Sequence, residues 1–240
     1  MRKTGKRNLQ IVLIISTAIF LMHSFSTPAL SEEKSQIQEI PKYEGTPPDS
    51  LIVTDYSASY DENSLYVDFT TKADISSGTI DPPIINFYGI GINNISEKEE
   101  SAFPPQYLWA YTPLVIGVQS KAFHEMIALF ETDPCERMTP ETCNQYKKFI
   151  ECLDKTGMIV LNLKKLSGGN IFEYFLLDAG PVAIITGNHF SGRINIESLG
   201  DVQPENLRIR MITGVNPSID SFNPRLVDLT DPIAPERNIK

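Results

Sequence analysis

The stretch LIVTDYSASYDENSLYVDF, residues 51–69, decides the fold. Ile52, Thr54 and Tyr56 alternate with Val53, Asp55 and Ser57, and after the turn Asp61-Glu62-Asn63 the apolar residues Leu65, Val67 and Phe69 recur at every second place. Because a strand turns successive side chains to opposite faces, a period of two predicts two half-buried strands joined as a β-hairpin.

Short β-branched and aromatic runs return at 84–92, 107–118, 158–163, 171–177, 181–186, 192–197 and 207–213, separated by Gly, Pro, Asn and Asp. Gly168-Gly169-Asn170 and Ala179-Gly180-Pro181 are strong turn signals between consecutive runs. About nine short strands with such punctuation predict a mainly β fold, a β-sandwich or an open barrel, with α+β as the fallback.

Residues 121–156 break the alternation. Ala122, Phe123, Met126, Ile127 and Phe130 fall at helical spacing, and so do Cys143, Tyr146, Ile150 and Leu153. Thr139 as N-cap, Pro140 at the first helical position and Glu141 in the first turn mark where the second helix starts. The pair reads as an inserted αα-hairpin.

All three cysteines, Cys135, Cys143 and Cys152, lie in this insertion. Cys143 and Cys152 are nine residues apart on one helix, ~13 Å at about 1.5 Å per residue, beyond the reach of a disulfide. Cys135, in the connector, can fold back onto the first helical turn at Cys143. The expected bridge is therefore Cys135 to Cys143, with roughly 2 to 3 kcal/mol of loop-entropy stabilisation. Cys152 is left as the odd thiol, either a small buried hydrophobe next to Phe149 or a reactive or intermolecular group.

The organisation around the domain follows from composition. Arg2, Lys3, Lys6 and Arg7 precede the twelve-residue apolar run IVLIISTAIFLM, which ends short of the ~20 residues a spanning helix needs, and small residues follow around Ala29. Residues 1–31 therefore read as an export signal, with cleavage expected after Ala29 or Ser31; left uncleaved, the segment would act as an anchor. Residues 32–50 are polar and Pro-containing, and read as a flexible linker. Residues 51–213 form the single domain, and 214–240 an extended Pro-rich tail. In that tail Asn216-Pro217 and Asn223-Pro224 each begin a segment with apolar residues at the fourth and seventh places. Such an arm can wrap its own domain or lie across a partner by strand addition or groove docking, and Ile219, Phe222, Leu226 and Leu229 are the candidates for partner contact.

Charge narrows the partners. The signal holds four of the 21 basic residues and none of the 30 acidic ones, so its removal takes the net charge from −9 to about −13. Such an acidic chain repels phosphate backbones and anionic lipid, and nucleic acid is not an expected partner.

Catalytic templates are thin. His189, in the turn TGNHFSGR, has Asp178 upstream and Ser191 two residues on, and His124 on the first expected helix could approach Cys152. No G-x-S-x-G elbow accompanies the first set and no thiol-enzyme motif the second. Gly89-Ile90-Gly91 has Asn94 at the third glycine place, which gives no dinucleotide site, and the cysteine and histidine spacings suit no zinc set. No cofactor or metal is expected. The reading that results is an exported, non-catalytic binding or assembly module of the periplasm or extracellular space, with a protein partner in the envelope or outside the cell. The alternative is an exported hydrolase using His189 or His124. N-terminal sequencing of the exported protein is expected to begin at Leu30 or Glu32; a start at Met1 in the exported fraction contradicts cleavage.

Overall fold

The computed structural model describes residues 41–76, 78–80, 83–111, 135, 139–156, 158–165, 175–216 and 225–238. In chain order its strands are β1 (Val53–Tyr60), β2 (Ser64–Thr71), β3 (Gly78–Ile80), β4 (Pro83–Asn94), β5 (Tyr107–Tyr111) and β6 (Met158–Asn162). They continue as β7 (Val182–Thr186), β8 (His189–Asn195), β9 (Leu207–Asn216), β10 (Arg225–Leu229) and β11 (Glu236–Arg237). One α-helix, α1 (Pro140–Thr156), accompanies them among the described residues. Sheet A has the order β10-β9-β4-β5-β6, with β3 also on β4; sheet B has the order β11-β1-β2-β8-β7. The fold is the expected mainly β one, a two-sheet sandwich and not a closed barrel.

The hairpin of residues 51–69 forms as its period requires. The Asp61 carboxylate accepts the N–H groups of Asn63 (2.9 Å) and Ser64 (2.8 Å), which folds the turn and sets Tyr60 opposite Leu65. Leu65, Val67 and Phe69 are then buried on the inner face of sheet B. Phe190 on β8 stacks on Phe69 at 4.6 Å between ring centroids and meets the edge of Trp109, from sheet A, at 5.7 Å. These rings join the two sheets. A Cβ on Gly192 would lie 2.7 Å from both the Phe190 and Trp109 rings, so the glycine makes the room in which they meet. Tyr88 and Tyr111 complete this aromatic layer, and burial pushes the Tyr111 phenol up to about 12, with Tyr88 nearby adding to the shift.

Sheet A is apolar on its outer face too. Leu108, Leu161, Phe175 and Ile212 form a second cluster there, and α1 touches β6 and the short turn Leu177–Ala179 beside it. At the β4–β5 connection Lys164 donates to Glu97 at 2.6 Å, and that hydrogen bond holds the Glu97 carboxyl below its usual range. The stabilisation is present above the ordinary carboxyl value and is lost as pH falls through the lowered one. Both side chains are partly exposed, so it is worth at most about 1 kcal/mol.

Several boundaries differ from the sequence reading. Of the run expected as a strand at 171–177, residues 171–174 lie outside the described residues, Phe175 makes a single bridge to Leu161, and Leu177–Ala179 is a 3-10 turn. β8 begins at His189 and ends at Asn195, because the Asn195 side chain accepts the Glu197 N–H and starts a 3-10 turn at Ile196. The first expected helix lies outside the described residues, as do residues 1–40. Residues 41–50, expected as linker, are tied down: Lys42 bridges Leu226, Tyr43 N–H donates to the Leu226 carbonyl at 2.8 Å, and Ser50 and Leu51 are buried.

The tail also belongs to the sheets. Residues 225–229 pair with β9, Ile233 bridges Ile209, and Glu236 and Arg237 then pair with Ser59 and Tyr60 of β1. Between these points the Asp228 carboxylate accepts the Val53 N–H at 3.0 Å, and the Tyr56 hydroxyl donates to the Asp231 carbonyl. Phe190→Ala is expected to cost about 3 to 5 kcal/mol through loss of the inter-sheet contact, and Asp228→Ala about 1 to 3 kcal/mol through an unpaired Val53 N–H. Guanidinium melts read both, and a neutral Asp228→Ala removes the sheet-crossing contact from the account.

Candidate functional site

The outer face of sheet B collects the polar residues the sequence singled out. Cross-strand pairing sets three rows on it: Val182, Arg193 and Tyr66; then Ile184, Ser191 and Asp68; then Thr186, His189 and Thr70. The turn Gly187-Asn188, with Gly187 at φ +59°, closes β7 onto β8 and delivers His189 to the last row.

Ser191, His189 and Asp68 are thereby neighbours, but not as a hydrolytic triad. His189 Nε2 lies 3.7 Å from Asp68 Oδ1, while Nδ1 stands 3.2 Å from the Thr70 hydroxyl. A Ser191–His189–Asp68 triad needs one ring nitrogen on the carboxylate and the other on the Ser191 hydroxyl; here the Thr70 hydroxyl holds the second. β8 lies between β2 and β7, so its backbone N–H groups are used by the ladders on both sides and supply no oxyanion hole. His189 and Asp68 are both well exposed, an arrangement in keeping with ordinary cross-strand polar pairing.

The other candidates are dispersed. Asp178 is exposed on the 3-10 turn whose Ala179 and following Gly180 lie against Arg193 and Asn195. That is the far end of β8 from His189, four to six residues or roughly 13 to 20 Å along the strand. Cys152 falls on α1, and His124 lies outside the described residues. Cys135 and Cys143 are disulfide-bonded, Cα to Cα 5.0 Å, as expected from spacing. Leu226 and Leu229 sit half-buried on β10 against the outer cluster of sheet A, while Ile219 and Phe222 lie outside the described residues.

A groove of about 240 Å³ opens where Asn63, Gly180, Arg193, Asn195 and Glu197 meet. Its lining is mostly polar and it is shallow, unlike the apolar enclosure of a small-molecule site. Among the described residues no group of three or more His, Cys, Asp or Glu could hold a metal ion. No described helix is long and apolar enough to cross a membrane.

Sheet edges are more informative than cavities. β10 is bulged between Leu226 and Asp228, and its outer side bonds residues 41–43. β6 takes the Phe175 bridge, and its Val160 carbonyl accepts the Leu176 N–H at 2.8 Å. β11 is two residues long, and both are charged. Short length, charge and bulges are the usual protections of a strand edge. β7 has none of them: VAIIT is regular and uncharged, pairs with β8 on one side among the described residues, and turns Val182 (47 % exposed) and Ile184 (71 % exposed) to solvent. The sequence carried one sign of this, the absence of charge in AGPVAIITGN at 179–188.

Comparison with known protein families, curated proteins and solved structures returns no match. The site is therefore described by its own geometry. Ile184→Ser is expected to change folding stability by less than about 0.5 kcal/mol, since the side chain contributes little to the core, whereas Ile185→Ser, half-buried on the opposite face, costs about 1 to 3 kcal/mol. Equal losses in a urea melt contradict the face assignment of β7.

Proposed function

We propose that this chain is an exported, non-catalytic binding or assembly module that takes a polypeptide partner by strand addition at β7. The observation that carries the reading is the contrast among edges: those of β3, β6, β10 and β11 are shortened, charged, bulged or covered, and that of β7 presents Val182 and Ile184 on an uncharged strand. An apolar side chain that is left in water and adds little to the fold is the pattern of a contact surface. The strand's backbone groups supply affinity and its alternate side chains supply selectivity.

Export is supported by the cationic and apolar start of the sequence and by the Cys135–Cys143 bridge, which persists in oxidising compartments. An acidic mature surface keeps such a module soluble and leaves the uncharged β7 strip as the place of least repulsion. Binding by the wild-type protein and Ile184→Lys to an envelope or secretome fraction tests the reading. Wild type is expected to retain partners that Ile184→Lys loses, with both variants equally folded by circular dichroism. Identical retention by the two contradicts β7 as the contact.

A further inference from the structure

We propose that the partner at β7 is a second copy of this chain, paired antiparallel with the two Ile184 residues facing each other across a two-fold axis. The inference rests on β7 being a contact surface and adds the identity of what covers it. It starts from the hairpin turn. Gly187-Asn188 closes Thr186 directly onto His189, so these two residues exchange backbone hydrogen bonds. Alternation then makes Ile184 with Ser191 and Val182 with Arg193 the other hydrogen-bonded pairs. The N–H and C=O groups of Ala183 and Ile185 consequently point away from β8, toward the side of the strand that no described residue pairs.

Those groups are self-complementary in one register. With Ile184 on the axis, Ala183 of one copy meets Ile185 of the other, twice, and each meeting exchanges two backbone hydrogen bonds. All four outward groups of each copy are then satisfied. Ile184 becomes the non-hydrogen-bonded pair, the kind in which opposed side chains approach most closely. The most exposed large apolar side chain on the described surface is thus placed against its own equivalent. Val182 lies opposite Thr186, and on the inner face Ala183 and Ile185 extend the existing core.

Charge selects the same contact. Two copies, each with a net charge of −9 before any cleavage, repel over most of their surfaces, and residues 179–188 contribute no charge to that repulsion. Preorganisation favours a second β7 over an unstructured donor peptide, because the strand is already ordered by β8 and by the turn, and the donor must lose its chain entropy on binding. Pro181, which has no N–H to give, and the Gly187-Asn188 turn limit the pairing to five residues. The interface is accordingly small, and the dimer concentration-dependent.

Sedimentation velocity on protein purified from the full-length sequence, from about 5 µM to about 1 mM, reads the equilibrium directly. Wild type is expected to shift from monomer to dimer across this range, and Ile184→Lys to stay monomeric with an unchanged thermal midpoint. Register is read by oxidative cross-linking. Ile184→Cys alone should yield a covalent dimer beyond that of wild type, and Thr186→Cys should do so when mixed with Val182→Cys but not alone. Wild type that is monomeric throughout, while Ile184→Lys still loses retained partners, overturns self-pairing and leaves strand addition to another polypeptide. Monomeric wild type together with unchanged partner retention by Ile184→Lys overturns both readings. A dimer that Ile184→Lys does not weaken also overturns the proposal, since the contact then lies elsewhere.

Discussion

The last passage of the chain from sheet to sheet closes the sandwich at one side. Residues 225–229 lie on sheet A, Ile233 and Ile209 exchange two 2.8 Å hydrogen bonds on the same sheet, and Glu236 with Arg237 then joins sheet B beside Ser59 and Tyr60. The Asp228 carboxylate and the Tyr56 hydroxyl tie the crossing to β1 from both sides. Sheet B places β11 and β7 at opposite edges, so the crossing covers one edge and, among the described residues, leaves the other unpaired. Closure at one side and exposure at the other are two results of one topology.

The core that this crossing encloses is aromatic where the sheets meet, and its polar atoms are mostly satisfied. Tyr107 donates to the Leu199 carbonyl at 2.6 Å, and Asn86 donates to the Ser76 carbonyl at 3.2 Å and to the Ser76 hydroxyl at 2.9 Å. Tyr88 donates to the Ser50 carbonyl at 3.1 Å and accepts the Ser76 N–H at 3.2 Å, which fixes the segments entering β1 and leaving β2 against β4. Buried and bonded in this way, the polar groups specify how the sheets align, while the apolar rings supply most of the free energy. The outward side chains of sheet B are free of that duty.

Much of this was legible in the sequence, and the parts that were not share a cause. The hairpin of 51–69 was readable because its period of two and its Asp61 turn are local. The Cys135–Cys143 bridge followed from helix rise, which excludes Cys143 with Cys152, and from the reach of the connector to the first helical turn, and the start of α1 at Pro140 from its cap residues. The tail was readable as an extended arm able to wrap its own domain, but the strands that 225–229 and 236–237 join were not, since that pairing is with β9 and β1, away in sequence. Tyr43 and Leu51 anchor a segment whose overall composition reads as linker. The site shows the same division. His189 and Ser191 were recognisable as a polar turn, but Asp68, which faces them, comes from a strand more than a hundred residues earlier, and Asp178 goes to the other end of β8. VAIIT was readable as a strand; its place at an edge is set by long-range pairing, which no local pattern encodes.

Strand addition at β7 requires a strand edge that this chain leaves uncovered, with outward amides at Ala183 and Ile185. Residue-resolved hydrogen exchange in dilute protein tests this most directly, because the two kinds of amide alternate along one five-residue strand. Fast exchange is expected at Ala183 and Ile185 beside a slow Ile184, whose N–H is bonded to β8. Uniformly slow exchange across Val182–Thr186 would contradict it, showing that the chain already covers its own edge.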